Sequence, residues 1–399
     1  MLGKTLQSKA RVVLVLNVMF NVANSLCSVF VGVYLWINSL DLHVVCGHYL
    51  AVYAVTPVVF LLAGWYAQAR DRVHVFRIGL ALHALYYGML LLLREQSAAY
   101  AVPLGALLGV TWGFFYAGAN TFNYDVTEPG ERDYFFGWLH AVGGIAQLVG
   151  PLLSAFIIRF APNGQRGYLL VFALAVLLYL ASMALSIRIP PDCTRRRYRI
   201  WRALFPGRDQ RDWQYLMLAS VTLAGTFNIL HFLLALLMFM STGSETSVGG
   251  FAAFQALAGI VVAYLVGHFI TPGTRRKSML LSVLLLLSAG LLISVRLSVF
   301  TLILFGFLRS VSMPLFSIPH SSVRFDVIDR CAEDPSQRIE YLCAWEIPLA
   351  LGRIVMMTAL ILLSGSLGEI GLRLTLFLLC AIRIATYVLV TRTTPLRQS

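Results

Sequence analysis

Charge is scarce in this 399-residue sequence: Asp, Glu, Lys and Arg together make up 12% of it, where a soluble domain carries about 25%. So thin a supply cannot coat a soluble protein of this size. Cysteine is scarce too. Cys27, Cys46, Cys193, Cys331, Cys343 and Cys380 lie far apart, with no disulfide or metal-ligand spacing, and read as packing residues. No G-x-x-x-x-G-K-[ST] phosphate loop is present, which speaks against an ATP-driven pump. No nucleophile with a base and no His/Asp metal cluster stands out, so neither an enzyme nor a bound cofactor or metal is expected.

Apolar side chains are abundant instead. Hydrophobic residues make up 59% of the chain and mean hydropathy is +0.78, which implies an integral membrane protein. The net charge of +13 comes from basic residues clustered between apolar runs, a topology signal rather than a nucleic-acid footprint. Nucleic acid is therefore not an expected partner. The first apolar run, from about Val12 to Ile37, is too long for a signal-peptide core and reads as a retained span.

With roughly 20 apolar residues needed per crossing, twelve spans are expected, near 12–37, 46–68, 73–93, 98–122, 134–160, 167–188, 213–240, 247–270, 276–295, 297–322, 339–364 and 369–391. Alternate connections are basic: Lys4, Lys9 and Arg11; Arg70, Arg72 and Arg77; Arg275, Arg276 and Lys277; Arg392 and Arg397. The positive-inside rule places these, and both termini, in the cytoplasm. One connection is long, and Arg188 to Arg211 contains eight arginines. It divides the chain into a bundle at 1–188, a basic linker at 189–212 and a second bundle at 213–399.

Sliding the halves over one another by about 200 residues gives recurring matches. Asn24 in NSLCSVFVGVYLW of span 1 falls near Asn228 in NILHFLLALLMFM of span 7. Asp125-Val126 falls on Asp326-Val327, Arg132 on Arg338, and Gly150-Pro151 on Gly352-Arg353. Two local motifs accompany this duplication. Gly64-Trp65-Tyr66-Ala67-Gln68-Ala69-Arg70-Asp71-Arg72 follows span 2. Span 5 carries Gly137, Ala146, Gly150, Pro151, Ser154 and Ala155, of which Ala146, Gly150 and Ser154 at i, i+4 and i+8 form a smooth stripe for close helix approach. The six-plus-six pattern, the basic turns and these motifs resemble the major facilitator superfamily over essentially the whole chain. That resemblance implies an all-α membrane fold of twelve transmembrane helices in two pseudo-symmetric six-helix bundles. The first motif is similar to G-x-L-A-D-R-x-G-R-K, with Gln68 in place of the family's Asp. The second is similar to G-x8-G-x3-G-P-x2-G-G, which in the family accompanies proton-coupled export. Gly64, Arg70, Asp71, Arg72, Asp125, Arg132, Gly150, Pro151, Asp326 and Arg338 become candidate gating positions, with Glu128, Glu131, Glu333 and Asp334 as nearby acids.

Polar groups inside spans are costly unless they face water or protein. Asn17, Asn21 and Asn24, followed by Ser28, share one face of span 1. Spans 1, 4, 7 and 10 line the central cavity in the superfamily, which selects Asn17, Asn21, Asn24, Trp112, Tyr116, Asn120, Asn228, His231 and Arg309 for substrate binding, with Gln255 of span 8 beside them. His140, His231 and His320 are possible proton carriers. Arg309, Arg353 and Arg383 all fall in the second half with Glu346 as the clearest deep acid, and a lipid-facing arginine at mid-helix costs about 2.5–3.5 kcal/mol. A carboxylate that alternates between an arginine and a proton couples protons to transport, so Glu346, Arg353 and Arg383 are candidates for that role. Glu346 and Arg353 are separated by about 10.5 Å of helical rise, so Arg309 or Arg383 is the expected partner of Glu346. A static ion pair is the competing explanation.

The expectation is a monomeric secondary transporter in a bacterial plasma (inner) membrane, exporting a small amphipathic or anionic organic solute by proton antiport. Its partners would be that solute, protons and membrane lipids. Uptake of a sugar, nucleoside or organic acid by proton symport, lipid flipping, and a non-transporting receptor or scaffold are the alternatives.

Overall fold

The computed structural model describes residues 8–125, 132–190, 200–332 and 337–397. All regular structure among them is helical: α1 (Ser8–Ser39), α2 (Leu42–Ala69), α3 (Arg72–Leu93), α4 (Ala101–Asp125), α5 (Arg132–Phe160), α6 (Gly164–Ser186), α7 (Arg211–Thr242), α8 (Glu245–Phe269), α9 (Arg275–Val295), α10 (Val299–Cys331), α11 (Arg338–Ala381) and α12 (Arg383–Val390). Among the described residues, eleven stretches are long and apolar enough to cross a membrane. The last, Glu340–Val390, has 51 residues, or about 76 Å of helix, more than twice the roughly 30 Å hydrocarbon core. Gly368, at φ 56° and ψ −130°, breaks it into two passes, which makes twelve.

Short polar caps set the reversals. Asp41 accepts from His43 N, Asp71 from Val73 N and Asn163 from Gln165 N, opening α2, α3 and α6. Ser298 and Thr301 close a capping box on α10, and Gly243, at φ 60°, ends α7 in the left-handed region. These caps satisfy backbone groups that the tight turns would otherwise expose.

The chain divides into two units, Met1–Tyr198 with Ser244–Ala253, and Arg199–Gly243 with Phe254–Ser399. In the first, α2 and α3 pack on α4, α3 and α1 on α6, and α1 on α5. The α2–α4 seam follows from Gly105, Gly109 and Gly113, four residues apart on one face. A Cβ on Gly105 would overlap the His48 carbonyl oxygen; one on Gly109 would lie 2.8 Å from Val52 O and 3.0 Å from Val55 Cβ; one on Gly113 would lie 2.7 Å from Val59 Cβ. Backbone therefore rests on backbone. His48 locks the seam by donating from Nδ1 to Ala101 O at 2.9 Å, while Tyr86 donates to its Nε2 at 3.3 Å. The first residues of α8 join this unit: Tyr168 donates to Glu245 Oε1 at 3.3 Å, and Gly249 sits against the Pro151 carbonyl.

In the second unit α9 packs on α10 and on α11, and α7 packs on α10, α11 and α12. Gly352 of α11 lies against Val221 of α7, a Cβ there falling 2.8 Å from Val221 C. Gly150 of α5 meets α1 in the same way, 2.9 Å from Ser25 C. The duplication read from the sequence is thus also a duplicated contact. One seam is not repeated. Positions 305, 309 and 313, the counterparts of the α4 glycines, are Phe, Arg and Met, so α10 lacks the small-residue stripe of α4. Instead α8 meets α10 through side chains, Phe254 on Phe307 at 5.9 Å between ring centroids and Gln255 with Arg309. The registers correspond: Gly109 faces Val55, and Arg309 faces Gln255, 200 residues further on in both helices.

The segment before α7 packs on the second unit. Trp213 is fully buried and donates from its indole to Ala203 O at 2.8 Å. Gln210 Nε2 donates to Tyr341 OH at 2.9 Å.

Candidate functional site

One face of α10 presents Arg309, Met313, Phe316, His320 and Arg324 at three- and four-residue spacing. Arg309 is 8% exposed and donates from Nη1 to Gln255 Oε1 at 3.4 Å. It is within Coulombic range of His231 on α7, which is exposed. Asn228, one turn before His231, is half-buried. Arg309, Gln255 and His231 thus come into one neighbourhood from three helices.

Lower on the same face, Arg383 is fully buried, with its guanidinium 4.5 Å from the Phe316 ring centroid and Nη2 donating to Met313 Sδ at 3.4 Å. A guanidinium over an aromatic face is a stabilised way to bury a cation. His320 packs on Phe316 and Trp345, within Coulombic range of Arg324 and Arg383. Its Nε2 is buried with no hydrogen-bond partner among the described residues.

Glu346 corrects one expectation. Arg353 donates from Nη1 to Glu346 Oε2 at 3.4 Å, although seven residues separate them. Helical side chains lean toward the N-terminus, so the long Arg353 side chain runs back along α11 toward the carboxylate. Arg324 also lies within Coulombic range of Glu346, its guanidinium 5.1 Å from the Trp345 ring centroid. Among the described residues the ion pair to Glu346 comes from Arg353, where Arg309 or Arg383 was the expected partner. Arg324 escaped the sequence reading because α10 runs to Cys331, nine residues past the expected end at 322. Its spacing of four from His320 was the available signal.

In the first unit, Tyr116 is exposed and Trp112 half-buried, their rings 6.4 Å apart. Behind them Phe20 stacks on Phe115 at 3.4 Å, and Phe20 meets His83 edge-on at 5.2 Å. His83 is buried and donates from Nδ1 to Gly79 O at 2.7 Å. Two of the asparagines turn inward on their own helix: Asn17 Nδ2 donates to Val13 O at 2.9 Å and Asn21 Nδ2 to Asn17 O at 2.8 Å. Asn17 is buried, whereas Asn21, Asn24 and Ser28 are half-buried.

The span-5 stripe performs the expected packing. Gly150 contacts Ser25, and Ser154 donates from Oγ to Leu26 O at 2.8 Å. In the last turns of α2 Gly64 and Gln68 are buried; beyond it Arg70 is exposed, Asp71 caps α3 and Arg72 is buried. In the second unit Arg275 donates to Asp326 at 2.9 Å. Arg338 pairs with Asp329 at 2.7 Å, an acid that the sequence reading did not single out. Asn120, Asp125, Arg132 and His140 fall within α4 and α5, but their side chains lie outside the described residues, as do Glu128, Glu131, Glu333 and Asp334.

The model of the Major Facilitator Superfamily matches residues 12–323. The chain is 30% identical over 365 residues to YqgE of Bacillus subtilis (strain 168), an uncharacterized protein, covering 90% of this chain and 84% of that one. It is 33% identical over 120 residues to the class B tetracycline resistance protein of Escherichia coli, 29% of each chain. Among solved structures, a POT family transporter in complex with 5-aminolevulinic acid superposes with a TM-score of 0.74 at 10% identity, covering 96% of both chains. With twelve helical passes, a duplicated register and a family match over most of its length, the chain belongs to the Major Facilitator Superfamily and is a multi-pass membrane transporter of that type.

Proposed function

We propose that this transporter exports an anionic, amphipathic organic solute by alternating access of its two six-helix halves, residues 1–188 and 213–399, in exchange for protons across the plasma membrane. The observation that carries the reading is the charge inventory of α10 to α12. Their seven arginines outnumber their five acids, and three of the arginines, Arg309, Arg353 and Arg383, are buried against one buried acid, Glu340. A cationic surplus inside spanning helices favours a negatively charged cargo, and Arg309, Gln255 and His231 supply its recognition. Trp112 and Tyr116, set edge to face, offer apolar ring surface for the cargo's hydrocarbon part, with Asn21, Asn24, Asn120 and Asn228 as further polar contacts. The partial similarity to a tetracycline resistance protein and the Gly150-Pro151 stripe support the outward direction.

Glu346 is the coupling acid in this reading. Arg353 pairs with it on one side and Arg324 lies near it on the other, and in this reading a proton exchanges with those cations during the transport cycle. Everted membrane vesicles with an imposed pH gradient test this. Glu346→Gln is expected to keep solute exchange and to lose proton-driven accumulation, at least about tenfold if the proton is the coupling ion. Wild-type accumulation in that variant would remove Glu346 from the mechanism and leave it a static ion pair.

A further inference from the structure

Where α10 ends and α7 begins, the second unit contains a cavity of about 500 Å³ that the transport reading does not use. Arg202, Arg208 and Arg211 line it from the segment before and at the start of α7, and Arg330 from the last turn of α10. Two acids, Asp209 and Asp212, stand with them. Both Asp212 oxygens accept from Thr394 N at 3.1 Å, so this carboxylate already holds the C-terminal turn in place. The cavity carries four arginines against two carboxylates, a net positive lining.

The floor is a built surface. Gln210 donates to Tyr341 OH at 2.9 Å, and Tyr341 OH donates to Cys331 O at 3.1 Å. Trp213 pins residue 203 through its indole N–H. The other end of the Gln210 side chain is telling. Gln210 is 5% exposed, yet its Oε1 is buried with no hydrogen-bond partner among the described residues. A buried acceptor in that condition is costly and is satisfied by a ligand that brings a hydroxyl donor.

Immediately beside the arginines, Trp201 and Phe205 stack on each other at 5.9 Å and 15°, with both rings exposed. Exposed aromatics next to arginines are the composition of a segment seated at the boundary between headgroups and acyl chains. The basic turns on this side face the cytoplasm by the positive-inside rule, and the leaflet there is the anionic one.

We propose that this cavity binds the headgroup of an anionic phospholipid, with Arg202, Arg208, Arg211 and Arg330 on the phosphoryl oxygens, a headgroup hydroxyl on Gln210 Oε1, and Trp201 and Phe205 in the acyl boundary. The site fastens the start of the second unit to the membrane surface, and it stands whatever the transported solute is.

Native mass spectrometry of the full-length protein released from nonionic detergent, given equal phosphatidylglycerol and phosphatidylcholine of the same chains, tests the assignment. Phosphatidylglycerol is expected to be retained preferentially, and Arg202→Gln/Arg208→Gln/Arg211→Gln to lose that preference by about 100-fold, at about fivefold per arginine. Trp201→Ala/Phe205→Ala is expected to weaken retention of both lipids. If the triple variant does not elute as a folded protein, Arg208→Gln alone carries the test with a fivefold loss. Equal retention of the two lipids by the wild type, or an undiminished preference in the variants, overturns the proposal. So does glycerol 1-phosphate, without lipid, raising the melting temperature as much as phosphatidylglycerol does, since the ligand is then a soluble phosphate ester.

Discussion

Arg309→Gln is expected to lower transport of an anionic solute by about 10- to 100-fold, the loss that follows when a charged hydrogen-bonding group worth about 1.5–3 kcal/mol is removed from the bound state. The argument rests on position. Arg309 is buried on α10 with its Nη1 on Gln255 and lies within Coulombic range of the exposed His231. Glutamine keeps the length and a donor but removes the charge. Arg309→Lys restores the charge without the planar fork and should recover part of the activity. Counterflow in proteoliposomes reads the effect without any proton gradient, which separates it from the consequences of altering Glu346. An Arg309→Gln protein that exchanges anionic solutes at the wild-type rate would show that the cationic surplus serves packing alone.

Gly105→Leu is expected to prevent the first unit from assembling. A Cβ at Gly105 already overlaps the His48 carbonyl oxygen, and backbone cannot rotate away as the end of a side chain can. Gly105→Ala should lower stability by about 1–3 kcal/mol, the usual range for overpacking, read as a lower melting temperature in detergent. Leucine adds three more carbons at the same seam and separates α2 from α4, where His48 must reach Ala101. Gly88→Ala is the control, because a Cβ there meets nothing within 4 Å. A Gly105→Leu protein with wild-type melting would mean that the seam is not a structural requirement.

Much of this architecture is legible in the residues themselves, for identifiable reasons. Hydrocarbon thickness fixes the length of each apolar run, so the passes could be counted. The 200-residue offset survives in the sequence because equivalent helices make equivalent contacts, as Gly150 on Ser25 and Gly352 on Val221 do. The span-5 stripe was readable because only small residues permit such approach. Side-chain pairing was less legible. The Glu346–Arg353 contact depends on how an arginine lies along its own helix, which residue spacing alone misjudges. Arg324 was hidden by the length of α10, whose end has no strong stop signal before residue 332. Asp71, a candidate gating position, also caps α3, a local role that the motif alone does not reveal. The buried histidines of α2 and α3 were indistinguishable in sequence from exposed ones, since burial is decided by neighbours far along the chain.

The unequal seams have a consequence for how such a transporter acquires new specificities. Along α4, any enlargement of Gly105, Gly109 or Gly113 drives one main chain into another, so that half admits almost no mutational exploration at those sites. Along α10, side chains already intervene between the helices, and exchanging one for another of different size or polarity reshapes a contact without dismantling the framework. Under selection for a different cargo, adaptive substitutions should accumulate on the later copy of the repeat while the earlier copy stays nearly invariant, an asymmetry of inheritance built in by three glycines.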